Sequence, residues 1–241
     1  SVENKNLISI TMKELPENQT LAKQINETLK GRVITGVFNA TKYHKNTFYY
    51  GDPLIYSKLL TGRQIKSSES FGMYVDIILD KSTKISFGDG TNLKYGTISG
   101  KMPDNYQLLL TLDDNTYLAF TVGMFGVIAA YTGIYDEVYY KKNTERLSPL
   151  NSEFNESYFE KLFVGLKPKL SVKMLLAAEQ RIPGLGNGIL QDILFNAKIN
   201  PKREISSLTS TDKSALLQSI KATLKSMVVQ GGRDTETDLF G

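Results

Sequence analysis

One stretch of this chain carries residue types and spacings that could do chemistry. In "RIPGLGNGILQDILF", residues 181–195, Gly184 and Gly186 permit positive φ and close backbone approach. Asn187 follows where it can cap a helix or offer its amide to a ligand. Free N–H groups at a helix start suit an anion, phosphate above all, and the plain alternative is a simple connection between helices. The neighbourhood favours the anion: from Lys161 to Lys213 the basic residues include Lys167, Lys169, Lys173, Arg181, Lys198, Lys202 and Arg203, against Glu179, Asp192, Glu204 and Asp212. A nucleic-acid backbone is the better candidate. A dinucleotide is not, because no strand precedes the turn and no second βα unit follows it.

The elements that must position these residues come from periodicity. From Glu17 to Leu29, Leu21, Ile25 and Leu29 recur at helical spacing and Gly31 stops the run. From Arg32 to about Tyr140 the pattern turns to short β-rich runs, "RVITGVF", "YVDIIL", "TKISF", "QLLLTL", "TYLAFTV" and "VIAAYTGIY" among them. Turn signals such as Gly51-Asp52-Pro53, Asp89-Gly90 and Asp113-Asp114-Asn115 separate them. This reads as an antiparallel β-sandwich. After Ser148-Pro149 the period is helical again, in "NESYFEKLF", "SVKMLLAAEQ", "NGILQDILFNA" and "STDKSALLQSIKATLKSMVV", the last capped by Ser210 or Thr211 and stopped by Gly231-Gly232. The fold class is therefore α+β: a helix and β-sandwich over 12–145, an all-helical domain over 146–241, and a short extension over 1–11.

Composition narrows the chemistry. The 241 residues are 41% hydrophobic, enough for a substantial core. They hold no cysteine and one histidine, which excludes disulfides, thiolate metal sites and His-rich clusters within this chain. The net charge of +4 leans toward an anionic partner through a weak field. No run approaches the length of a membrane span, and the reading is of a cytoplasmic, monomeric protein with no membrane association.

At this point the residues resemble a known family. "SVKMLLAAEQRIPGLGNGILQDILFNAKINPKREISSLT", residues 171–209, is similar to the helix-two-turn-helix segment of the formamidopyrimidine-DNA glycosylase and endonuclease VIII family. "ELPENQTLAKQINETLKGRVI", Glu14 to Ile34, resembles that family's N-terminal motif and first helix. The resemblance implies a two-domain clamp on damaged double-stranded DNA. Its enzymes flip an oxidised base out of the duplex, attack the anomeric carbon with an N-terminal proline amine and cleave the strand through a Schiff base.

Carried over residue by residue, the resemblance makes Glu14 and Glu17 the catalytic acids, with Glu14 the better candidate to protonate the opening sugar ring. Glu17 has the alternative of capping the helix. Asn187 and the backbone at Gly186 are expected on a DNA phosphate, with Lys173 and Arg233 also on DNA, although Lys173 reads equally as an ordinary exposed lysine. Asp192 is expected to tie the two domains together or else to lie on a solvated helix face. Phe125 is expected as a wedge in the space left by the flipped base, with a buried strand position as the alternative.

The departures are as informative. Where the family has its nucleophilic proline this chain has Lys13, and a second family lysine falls at Met73. The family's void-filling methionine and arginine align with Asp89 and Met124. The family's C-terminal zinc finger, which would bind zinc, has no cysteine to build it here, so no cofactor is expected within these residues. Two readings follow: a DNA glycosylase with Lys13 as the amine and the lyase step in doubt, or a catalytically silent damaged-DNA-binding clamp. A lysine nucleophile must lose its proton, which needs desolvation or a second cation at Lys13. Otherwise Lys13 is a solvated lysine beside a structural acid.

Overall fold

The computed structural model describes residues 12–241. Helix α1, Leu15–Leu29, begins two residues earlier than the periodicity indicates, because Pro16 is tolerated in a first helical turn. Seven strands follow: β1 (Ile34–Asn39), β2 (Thr47–Tyr49), β3 (Ile65–Phe71), β4 (Tyr74–Leu79), β5 (Thr83–Thr97), β6 (Leu108–Leu112) and β7 (Thr116–Thr132). A short helix α2, Tyr56–Leu60, separates β2 from β3. The hydrogen-bonded order is β1-β6-β7-β5-β4-β3, antiparallel throughout, with β2 added parallel to β7.

The α+β order agrees with the sequence, and two of its boundaries do not. Asp89-Gly90, read as a turn, is a bulge inside β5: register shifts between Asp89 and Thr91 and the strand continues to Thr97. The two runs "TYLAFTV" and "VIAAYTGIY" are one strand, β7, through Gly123 and Gly126. These two long strands belong to both halves, so the sandwich is one continuous sheet that wraps a single core. Leu108 and Leu110 from one end of the strand order share that core with Val75 and Ile77 from the other, and Leu21, Ile25 and Leu29 of α1 pack into it.

Helix α3, Val138–Glu145, whose Tyr140 packs with Tyr74 and Tyr131 of the sheet, leads into the helical part made of α4 (Glu156–Lys161), α5 (Val172–Ala177), α6 (Asn187–Ala197) and α7 (Ser210–Gln230). Thr209, rather than Ser210 or Thr211, caps α7, in a capping box with Asp212. Gly231 ends the helix at φ +86, as its position predicts. Leu175, Ile189, Ile193, Leu216 and Ile220 form this domain's own core.

The chain ends cross between the domains. Leu15 of α1 is buried in the helical core, and Leu239 is buried in the sheet core. Each domain is thereby plugged by a segment that sequence order assigns to the other, and the residues between those plugs and α6 form the junction.

Candidate active site at the domain junction

The junction is made by three backbone segments in close contact. Leu15 N–H donates to Gly184 O at 3.0 Å, and Gly184 N–H donates to the Gln180 side chain at 2.8 Å. Gly184 has φ +84, and a Cβ there would overlap Leu15 and lie 2.9 Å from Gly72 Cα. Gly184 is thus required both by its conformation and by the space. The β3–β4 turn is held to the helical side by Asn143, which accepts from Met73 N–H at 2.9 Å, and to α1 by Asn18, which donates to Gly72 O at 3.0 Å.

The Gly-x-Gly-Asn turn holds the carboxylate of Glu14. Ile189 N–H donates to Glu14 Oε2 at 3.1 Å, and the Gly186 amide also faces this carboxyl. A Cβ on Gly186 would overlap Glu14 Oε1, and one on Gly188 would overlap the Arg233 guanidinium and meet Glu14 Oε2 at 2.6 Å. Both glycines leave room for an acid to sit on the α6 N-terminus, where the helix dipole favours negative charge. Glu14 thus occupies the space before Gly186, where a DNA phosphate was expected.

Arg233 is also corrected. Its guanidinium joins the two acids, with Nη1 2.7 Å from Glu14 Oε2 and Nε 2.8 Å from Glu17 Oε1, and Nη2 donates to Met12 O at 2.7 Å. Its backbone N–H donates to Glu17 as well, at 2.7 Å. With its donors committed inward and its side chain 13% exposed, Arg233 is a bridge between the α1 start and the C-terminal segment, not a DNA contact. Glu17 fulfils the capping alternative too: it accepts from Glu14 N–H at 2.9 Å.

Lys13 is buried, so the solvated alternative is overturned. Its Nζ donates to Asn92 Oδ1 on β5. Burial pulls its ammonium below the ordinary value, against the pull of Glu236 and Glu17. Among the described residues no carboxylate pairs with it within ion-pair distance. Glu236 lies close enough to act on it, and Glu236 Oε1 is buried with no hydrogen-bond partner among the described residues. Glu14 moves the other way: burial pushes it up to about 7, outweighing Arg233, with Glu17 adding to the rise. Two adjacent residues at the junction therefore carry an amine biased toward losing its proton, bonded to Asn92 of β5, and a carboxyl that keeps one to neutral pH, bonded to the α6 start.

The remaining candidates divide. Asn187 is exposed at the first position of α6, with Gly186 rather than itself as the cap, and Lys173 is exposed across a groove of about 550 Å³ that the two residues line with Phe195 and Lys198. Phe125 lies at the surface, 36% exposed beside the 52% exposed Met124, so it is not a core residue. Asp192 is exposed on α6 and makes no hydrogen bond or ion pair among the described residues; its bridging role falls to Arg233, Asn143 and Leu15. Met73 is 2% exposed among Tyr74, Tyr131 and Tyr140, an apolar replacement that offers no amine. Asp89 stands at φ +54 in the β5 bulge, pushed up to about 6 by burial. Asn92 and Glu236 are absent from the sequence reading: nothing in "GTNLKYG" marks the first, and the second lies in "GGRDTETDLFG", legible only as a C-terminal stretch. The chain has no cysteine, and the described residues contain no cluster suited to a metal, so the residues present do not fit a zinc site.

A 3-10 turn, Ala178–Gln180, and a second turn at Pro183-Gly184 join α5 to α6, so two helices are linked through two successive turns. Residues 147–238 match the model of the formamidopyrimidine-DNA glycosylase H2TH domain. Over 92% of its length the chain is 29% identical to the formamidopyrimidine-DNA glycosylase of Solibacter usitatus, covering 79% of that protein, and 25% identical to that of the Wolbachia of Brugia malayi, covering 80%. The fold superposes on Lactococcus lactis Fpg in complex with DNA containing an abasic site, with a TM-score of 0.79 and 24% identity over 93% of this chain and 81% of that one. Across most of its length the chain is similar to formamidopyrimidine-DNA glycosylases, and its C-terminal helical part matches their H2TH domain. No helix among the described residues is long and apolar enough to cross a membrane.

Proposed function

We propose that this protein is a DNA repair glycosylase that excises oxidised bases from duplex DNA, with Lys13 as its amine and Glu14 as its acid. The observation that carries the reading is the burial of these two adjacent residues at the junction, the amine shifted toward its neutral form and the carboxyl toward its protonated one. An ordinary lysine is almost wholly protonated at neutral pH, and desolvation lowers that barrier by about 1.4 kcal/mol per pH unit. Duplex DNA lies across the cleft, held at phosphates by Asn187 and Lys173, and Phe125 fills the space of the base turned out of the stack.

Neutral Lys13 Nζ attacks the anomeric carbon; the N–C bond forms as the glycosidic bond breaks, and its electron pair leaves with the base. The departing base takes one proton from the nitrogen; Glu14 gives its proton to the ring oxygen as the C–O bond breaks, and the nitrogen's lone pair closes the C=N bond of a protonated imine. The carboxylate so formed is received by Arg233 and the α6 amides, donors fixed before the reaction begins. The imine is the species from which an abasic-site lyase step proceeds.

Met73 in an apolar nest favours the second reading, a damaged-DNA-binding protein without chemistry. Single-turnover assays with duplexes carrying 8-oxoguanine, formamidopyrimidine, an oxidised pyrimidine or an abasic site decide between them. The proposal expects base release that is lost in Lys13→Ala and Glu14→Gln. Release retained in Lys13→Ala but lost in Glu14→Gln replaces the amine with water activated by Glu14. Tight lesion binding with no release by the wild type establishes the silent clamp.

A further inference from the structure

The loop between β1 and β2 is the least explained surface near Phe125. Residues 39–51, "NATKYHKNTFYYG", contain Lys42, His44 and Lys45 and no acidic residue, in a chain whose overall acids and bases nearly balance. Lys42 and Lys45 are exposed, and Tyr43 between them is 91% exposed. The Tyr43 ring, left almost wholly in water, adds little packing to the fold and presents an open face on which a base can stack.

This loop is fastened to the segment that bears Phe125. His44 Nε2 lies 3.0 Å from Gly123 O, Asn46 Nδ2 donates to Met124 O at 2.9 Å, and Gly126 N–H donates to Asn46 O at 3.1 Å. Immediately after the loop, Thr47 pairs in register with Gly126. A Cβ at Gly90 would overlap Phe125 O, so the β5 bulge supports the same segment from its other side. The loop and the Phe125 segment are one unit, and what meets one meets the other.

We propose that residues 41–46 form a second DNA-contacting element, in which Lys42 and Lys45 take phosphates and Tyr43 stacks on the unpaired base left opposite the lesion. The inference rests on DNA being the partner and holds for an excising or a silent protein. The chemistry recognised is an unstacked base flanked by backbone phosphates: the aromatic face serves any base, and the lysines supply charge without sequence information. An acidic protein surface would satisfy the lysines but leave the Tyr43 ring without a planar partner.

The test compares wild type, Tyr43→Ala and the double variant Lys42→Gln/Lys45→Gln on an intact duplex and on one with an abasic-site analogue opposite 2-aminopurine. Tyr43→Ala is expected to weaken lesion-duplex binding about tenfold, to leave intact-duplex binding within about twofold, and to abolish the change in 2-aminopurine emission. The double variant is expected to weaken both duplexes and flatten the dependence of log K on log salt by about 0.9 per lysine. Circular dichroism of each variant checks the fold, which these exposed positions do not support. Wild-type affinity, emission and salt slope in the variants overturn the proposal. If the wild type itself binds neither duplex, the DNA reading beneath it fails instead.

Discussion

Arg233→Gln removes the cation between two carboxylates whose side chains are 3% and 4% exposed, and its cost should depend on pH in a calculable way. In the wild type Glu14 is raised from 4.5 to about 7. Between those values the folded state holds a proton that the unfolded state has released, so stability falls as pH rises through that window, by about 1.4 kcal/mol per unit and about 3 kcal/mol in all. Above about pH 7 the acid is ionised in both states and its contribution is flat. Arg233 is the largest influence holding Glu14 down, so without it Glu14 keeps its proton to higher pH and the decline continues past 7. At about pH 5 Glu14 holds its proton with or without Arg233, so the variant loses the hydrogen bonds and the contact with Glu17, about 1–3 kcal/mol. By about pH 9 the uncompensated acid brings the loss to about 3–5 kcal/mol, the cost of breaking a buried pair. Urea denaturation at the two pH values, followed by tyrosine fluorescence and circular dichroism, measures the difference. Equal losses at both would refute the claim that Arg233 acts on a buried, titrating Glu14.

Three further substitutions separate the roles of α6. Gly186→Ala, at φ −121, strains no backbone but sets a methyl where Glu14 Oε1 lies, so excision should fall about a hundredfold in single-turnover assays while binding to intact duplex is kept. Asn187→Ala should weaken lesion and intact duplexes by a similar factor, about tenfold in a binding titration, because a phosphate contact carries no base information; loss of lesion preference alone would contradict it. Asp192→Ala should alter unfolding free energy by less than about 0.5 kcal/mol, since its carboxylate is exposed and unpaired among the described residues; a larger loss would restore it as a bridge.

Local patterns carried the fold well where one element decides its own structure. Leu21, Ile25 and Leu29 announce α1, and Gly231 announces the end of α7. They failed where pairing overrides local preference. Asp89-Gly90 has every mark of a turn, yet β7 runs alongside it and carries β5 through as a bulge. Tyr139 and Tyr140 favour strands, yet they sit in α3, where Glu137 caps the helix and Tyr140 reaches buried Asp76 at 2.6 Å. The site was legible in its two motifs but not in their relation. Glu14 and Ile189 are 175 positions apart, and no spacing rule reveals that the glycine turn receives a carboxylate from the same chain before it can receive a phosphate from another molecule. Arg233 was misassigned for the same reason: an arginine in a basic chain reads as a DNA contact until its two acids are located.

The central claim, that a buried lysine amine performs the chemistry, is tested most directly by trapping. The intact protein is incubated with a duplex carrying the lesion it releases, reduced with borohydride, digested and mapped by mass spectrometry. The account predicts a covalent DNA adduct on the peptide that contains Lys13, at Nζ, absent in Lys13→Ala. An adduct on any other amine, or base release with no adduct at all, would contradict it.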